Sequence, residues 1–339
     1  MKKQFRMAAA VLVAVGLAAG TLTGCGSKDE AAPAPAETAP AETAAQTYTV
    51  GICQFIQHEA LDKATEGFKD ALTEKLGESV VFDEQNASGD APVCATIANQ
   101  FVAEQVDLML ANATPALQAC ANATATIPIL GTSVSDFGTA LSIDMGANDA
   151  TGINVSGTSD QVSFADQANQ LLELFPEAQK VGILYCSAEA NSKFQADHIK
   201  ALLEEAGKEV TYFTFTDSND MQAVSTTAVE NSEVIYVPTD NTVASNGSIL
   251  NNVASEAKVP VIAGEEGVCL AVGGVATVSL RYYDIGYQAG EMAYEILVNG
   301  ADPATMNIES PREATMEYIP EVAETYGIQI PENYVALEK

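Results

Sequence analysis

Short β-branched apolar runs alternate along this chain with longer stretches of helical periodicity. The spacing predicts strands over Tyr48–Cys53, Val80–Asn86, Leu108–Ala113, Ile127–Ser133 and Ile153–Ser156. A second series follows at Lys180–Cys186, Val210–Phe215, Val234–Thr239, Val259–Gly264 and Val275–Leu280. Between them, Ala60–Leu76, Cys94–Gln105, Phe164–Phe175 and Asn191–Ala206 place apolar residues on one helical face. Strands alternating with helices of this length point to βαβ units and parallel sheets.

The two series repeat each other. Val50-Gly51-Ile52 returns as Val181-Gly182-Ile183, and Ile127-Pro128-Ile129-Leu130-Gly131 as Val259-Pro260-Val261-Ile262-Ala263-Gly264. The segment opening at Asp107 has its counterpart at Glu233, so the repeat length is about 130 residues. The expected fold class is α/β, with two doubly wound, flavodoxin-like parallel-sheet lobes in tandem. In such sheets, ligands bind beyond the carboxyl ends of the strands, where helix N-termini also point. The loops at those ends are rich in hydroxyl, amide and carboxylate groups: Gln54–Glu59, Asn86–Asp90, Thr114–Pro115 and Thr132–Asp136, then Ser187–Ser192, Thr216–Asn219, Pro238–Asn241 and Gly264–Gly267.

The start of the chain breaks the pattern. Lys2, Lys3 and Arg6 precede an apolar run from Met7 to Leu22 that is too short for a stable span and ends in Leu22-Thr23-Gly24-Cys25. That ending resembles the bacterial lipobox, which implies cleavage before Cys25 and a diacylglycerol on its thiol. Residues 1–24 then read as a lipoprotein signal peptide. Residues 25–46 read as a disordered linker, since Gly26–Gln46 has no large apolar residue to repay the entropy of ordering. The expected location is the outer face of a bacterial cell membrane.

Charge and composition narrow the chemistry. The whole chain carries a net charge of −31, and residues 1–24 hold three bases and no acid, leaving about −34 beyond them. Phosphate backbones repel such a chain, which excludes nucleic acid as a partner. Cys53, Cys94, Cys120, Cys186 and Cys269 fit neither a disulfide framework nor a zinc site and read as small buried hydrophobes. Nucleophile-elbow, phosphate-loop, dinucleotide and zinc-protease motifs are all missing. Ser255-Glu256-Ala257-Lys258 matches S-x-x-K inside a helical pattern and without its companion motifs. No catalytic residue, cofactor or metal is expected.

Several segments carry a family resemblance: Gly51-Ile52-Cys53-Gln54 with His58-Glu59-Ala60-Leu61-Asp62, Ala113-Thr114-Pro115-Ala116, Asn122-Ala123-Thr124, Gly182-Ile183-Leu184-Tyr185, Glu189-Ala190-Asn191-Ser192, the run from Val237 to Ser245, and Tyr282-Tyr283-Asp284-Ile285-Gly286. They run in order through nearly the whole chain after the linker. With them the chain resembles the substrate-binding lipoproteins of ABC importers with the type I periplasmic-binding fold, in the tryptophan- and aromatic-amino-acid-binding subgroup. That family commonly has Pro where Glu59 stands, and Cys53 and Phe55 also depart from its pattern.

The resemblance implies three hinge crossovers, near Gly157–Asp160, Arg281–Asp284 and residues 308–312. The N-terminal lobe would comprise 47–157 plus 283–308, and the C-terminal lobe 158–282 plus 309–339. It also implies capture of an amino acid, an aromatic one, in the interlobe cleft, and delivery by a monomer to a membrane permease. Two alternatives stay open: a receptor for a membrane sensor, and a binder of a sugar or nucleoside, against which the lack of Trp counts.

For an amino acid, Arg281 and Arg312 fall at crossovers, so the ligand carboxylate is expected at helix N-termini, on Thr114 and Pro115 in the first lobe and Asn191 and Ser192 in the second. Asp240 leads as the ammonium partner, ahead of Glu189 and Asp136, and Asp240→Ala is expected to abolish binding while leaving thermal unfolding nearly unchanged. Gln54, Ser133 and Asn241 would complete the polar shell. Phe55 and Tyr185, with Phe137, would form the apolar slot, and His58 enters as a contact from the first βα loop.

Overall fold

The structure, a computed structural model, describes residues 47–145, 149–310 and 314–337. The signal peptide, Cys25, the linker and Arg312 lie outside the described residues. The first half runs β1 (Tyr48–Gln54), α1 (Glu59–Leu76), β2 (Val80–Asn86), α2 (Ala91–Glu104), β3 (Leu108–Asn112), α3 (Thr114–Ala123), β4 (Ile129–Val134), α4 (Phe137–Leu141) and β5 (Val155–Ser159). Then come α5 (Phe164–Leu174), β6 (Lys180–Cys186), α6 (Ala190–Glu205), β7 (Glu209–Phe215), α7 (Met221–Asn231), β8 (Val234–Val237), α8 (Asn241–Asn246), α9 (Ser248–Ala257), β9 (Val261–Ala263), α10 (Glu266–Val272) and β10 (Ala276–Ser279). The chain closes with α11 (Tyr282–Leu297), β11 (Thr315–Tyr318), α12 (Pro320–Tyr326) and β12 (Val335–Ala336).

Two sheets result. The first has the order β2-β1-β3-β4-β5, all parallel. The second repeats that order as β7-β6-β8-β9-β10, then adds β11 antiparallel to β10 and β12 parallel to β11. The repeat seen in sequence is therefore a repeat of topology. β3, β4, β8 and β9 are buried along their whole length, as strands covered by helices on both faces must be.

The chain crosses between sheets three times: after β5, after β10, and beyond Glu309, which bridges back to Thr158 at the end of β5. β5 runs to Ser159, two residues past the boundary expected at Gly157. Helix α11 follows a strand of the second sheet but packs on α1 and on the first sheet, through a core that includes Phe68, Leu72, Leu130, Ala289 and Ala293. The approach of α1 and α11 is close enough to require glycine. A Cβ on Gly286 would collide with the Ala64 carbonyl, and one on Gly67 with that of Tyr283.

Helix α1 buries Ala60, Leu61, Ala64, Phe68, Ala71 and Leu72 along one stripe. Glu59 and Asp62 occupy its first turn, where the helix dipole favours acids. His58 stands at the N-cap position, yet its side chain makes no cap. That leaves the imidazole free to reach elsewhere.

Candidate functional site

The carboxyl ends of both sheets face each other across a cavity of about 10 Å³. His58, Leu61 and Ser133 line it from the first lobe, and Asn191, Thr239, Asp240, Asn241 and Glu265 from the second. Asp160 and Tyr282 line it from two of the crossovers. It is narrow, with room for about one water-sized group. The lobes are clasped around it. His58 Nε2 lies 3.1 Å from Asn241 Oδ1, and Gln195 Nε2 donates to Ser135 Oγ at 2.7 Å.

The clasp fixes proton positions. Asn241 Nδ2 donates to Glu189 Oε2 at 2.6 Å, which turns Asn241 Oδ1 toward His58. A carbonyl oxygen only accepts, so His58 Nε2 carries the proton. Burial pushes the imidazole pKa below its usual range, against the opposing pull of Asn241, Glu189, Asp62 and Glu59. The neutral ring then presents a lone pair at Nδ1.

Four buried polar atoms on this cavity find no hydrogen-bond partner within the protein: His58 Nδ1, Ser133 Oγ, Asp160 Oδ1 and Asn191 Oδ1. Asn191 Nδ2 donates to the Thr239 carbonyl at 2.9 Å, so its amide orientation is set and Oδ1 is an acceptor. Asp160 receives the Tyr282 hydroxyl on Oδ2 at 2.9 Å. Burial raises the Asp160 pKa, offset in part by the nearby hydroxyls of Ser135 and Tyr282. Ser133 reaches the cavity from a positive φ of 55°, within the irregular register of β4 between Gly131 and Val134. A non-glycine residue held there costs about 1–3 kcal/mol, a strain typical of functional sites.

The residues expected from sequence divide. His58, Ser133, Asn191, Asp240 and Asn241 converge on the cavity. Phe55, Pro115 and Glu189 line a wider cleft beside it, with Ile56, Cys186 and Ala188. The others serve elsewhere. Tyr185 packs in the second-lobe core with its ring edge-on to Tyr212, so it offers no slot to a ligand. Phe137 likewise fills core, against Gly131. Asp136 caps α4 by accepting from Thr139 N, and lines depressions on the far side of that helix. Gln54 is tied to Asp62, Thr65 and the Ile56 carbonyl, a polar network inside the first lobe. Thr114 opens α3 and is buried, as is Ser192 beside Asp240, but neither lines the cavity.

Asp240 needs a correction of role. Its Oδ1 caps α8 at Val243 N, and its Oδ2 accepts from Cys186 N at 2.7 Å, so both oxygens are already used. Glu189 accepts four hydrogen bonds, from the backbone and side-chain amides of Asn241 and from the amide and hydroxyl of Thr242. The carboxylate on this cavity with a free oxygen is Asp160, a residue expected at a hinge. The available signal was its position one residue past the carboxyl end of β5. Glu265, in the loop Gly264–Gly267, caps α10, and Tyr282, at the second crossover, opens α11.

Residues 49–338 match the family model described as ABC transporter substrate binding protein. The chain belongs to that family. Its members bind substrate for an ABC transporter outside the cytoplasm and do not transform it. The chain is 36% identical over 293 residues to a tyrosine-binding protein of Clostridioides difficile, covering 85% of this chain and 83% of that one. It superposes on the ABC domain bound to L-Trp from Streptococcus pneumoniae with a TM-score of 0.80 and 31% identity, over 85% of this chain and 97% of the other. A ligand-free, open substrate-binding protein with adhesive properties from Clostridium difficile gives a TM-score of 0.64 at 37% identity, over 86% and 99%. The interlobe hydrogen bonds of His58 with Asn241 and of Gln195 with Ser135 hold the two lobes of this chain together. The fold is the type I periplasmic-binding fold, with two parallel-sheet lobes.

Proposed function

We propose that the protein captures an aromatic amino acid between its lobes and delivers it to an ABC permease, acting as a lipid-anchored monomer outside the cell membrane. One observation carries this reading. A cavity lined from both lobes concentrates buried polar atoms that the protein itself leaves without partners, and such atoms call for a polar ligand. The tyrosine-binding relative and the L-Trp-bound neighbour supply the class. Asp160, His58 and Asn191 contact the polar end of the ligand, with Ser133 beside them. The wider cleft at Phe55, Ile56 and Pro115 receives the side chain. The lobes, taken as 47–157 plus 283–308 and 158–282 plus 309–339, hinge at the three crossovers.

No helix among the described residues is long and apolar enough to cross a membrane. Attachment therefore falls to Cys25, with residues 26–46 as the tether. The test is a calorimetric titration of the full chain in detergent with L-tyrosine, L-tryptophan, L-phenylalanine, glucose and adenosine. Binding of an aromatic amino acid and of neither other compound is the expected result. Binding of glucose or adenosine alone would sink the reading. Cys25→Ser should move the protein from the membrane fraction to the soluble one; continued membrane retention would refute the anchor.

A further inference from the structure

The count of donors and acceptors in the cavity says more than that it is polar. Three of its four unpartnered atoms are pure acceptors. Asp160 Oδ1 belongs to a carboxylate, Asn191 Oδ1 to an amide whose nitrogen already faces the Thr239 carbonyl, and His58 Nδ1 to a ring whose proton sits on Nε2. Ser133 Oγ can act either way. No Lys or Arg lines the cavity, so no permanent cation within it answers these acceptors. A water molecule has two donors and would leave one of the three unserved. A primary ammonium has three donors, a positive charge for the carboxylate, and a size that suits the narrow space.

We propose that Asp160, Asn191 and His58 form a seat for one primary ammonium group, selecting ligands with –NH3+ and rejecting those with substituted nitrogen. The inference rests on the proposed function and sharpens it to the group the site demands. Each N–H of the ligand meets one acceptor, one from each lobe and one from the first crossover, so the seat is complete only in the closed form. Substituting one hydrogen by methyl does two things. It leaves a buried acceptor unpaired, and it puts a carbon where there is room for a proton. Leaving a buried polar group unpaired costs enough to weaken binding by about 5- to 100-fold. Imino acids, with two N–H donors at most, are rejected on the same count.

The experiment compares L-tyrosine, N-methyl-L-tyrosine, 3-(4-hydroxyphenyl)propionate and tyramine by calorimetry on the full chain. L-Tyrosine should bind, the N-methyl compound at least about 10-fold more weakly, and the deaminated acid not measurably. Tyramine, which keeps the ammonium, should retain binding that the deaminated acid lacks. Asp160→Asn, which keeps shape but loses charge, should weaken L-tyrosine by about 10- to 100-fold, the scale of a charge-assisted hydrogen bond. Equal affinity for L-tyrosine and its N-methyl form would overturn the seat while leaving the proposed function standing. Failure of every primary-ammonium compound to bind would overturn both. Nitrogen NMR of the ligand-free protein gives an independent check. His58 should be the neutral Nε2–H tautomer at pH 7, and an Nδ1–H tautomer there would also overturn the seat.

Discussion

At the scale of single residues, two aspartates 80 positions apart trade the roles their sequence contexts suggest. Asp240, in Pro238-Thr239-Asp240-Asn241 at a strand end, has the look of a ligand carboxylate. In the fold it holds the α8 N-terminus and the Cys186 amide together. Asp160, which looks like a hinge residue, keeps an oxygen free. The rule that ligands sit beyond strand carboxyl ends found His58, Ser133, Asn191, Asp240 and Asn241. Asp160 obeys the same rule, since it stands at the carboxyl end of β5 as well as at a crossover. What sequence could not give was saturation: whether a carboxylate is already occupied depends on amides brought from other segments. The prediction follows directly. Asp240→Ala removes a helix cap, worth about 1 kcal/mol, and strands the buried Cys186 N–H, worth about 1–3 kcal/mol. Urea unfolding should show a loss of at least about 2 kcal/mol, and an unchanged midpoint would show that Asp240 has no such structural role.

At the scale of elements, the repeat was legible because parallel strands buried on both faces read as continuous apolar runs, and most predicted strands fall within two residues of the observed ones. β11 and β12 escaped notice. They are four and two residues long, only partly buried or exposed, and sit at the sheet edge where hydrophobic patterning is weak. The pairing of α1 with α11 was equally invisible to periodicity, since each helix shows only that it has an apolar face. The close packing at Gly67 and Gly286 is what makes that pairing specific. Helix α1 begins just after His58, and α11 begins at Tyr282, the donor to Asp160. A wedge between the two helices should therefore reach the site. Gly286→Ala should destabilise the protein by about 1–3 kcal/mol, the usual cost of overpacking. It should also weaken L-tyrosine binding, whereas Gly207→Ala, at a positive φ but with open space around it, should cost stability without touching affinity. Full ligand affinity in Gly286→Ala at reduced stability would refute the mechanical link between this helix pair and the cavity.

At the scale of the whole molecule, closure gathers negative charge that nothing in the cleft neutralises. Asp160, Asp240 and Glu265 line the cavity and Glu189 adjoins it, without a Lys or Arg among the lining residues. Burial raises the pKa of Glu265 to about 8 and that of Asp160, while burial and then the Glu189 charge raise that of Asp240. Groups whose folded pKa is raised favour the closed, folded state at low pH and lose that contribution as pH climbs, for Glu265 through about 8. His58 acts in the opposite sense: its folded pKa is lowered, so its contribution is present above 6.5 and is lost as pH falls below that value. Between pH 6.5 and 8 the buried acids therefore dominate, and the melting temperature of the ligand-free protein should fall as pH rises. An ammonium seated against Asp160 supplies the missing charge, so the slope should flatten with saturating L-tyrosine. Glu265→Gln, neutral at every pH, should flatten the ligand-free slope on its own. A ligand-free melting temperature that climbs from pH 6.5 to 8 would show that these carboxylates stay ionised when the lobes close, and that the cleft carries its negative charge whether or not a cation is present.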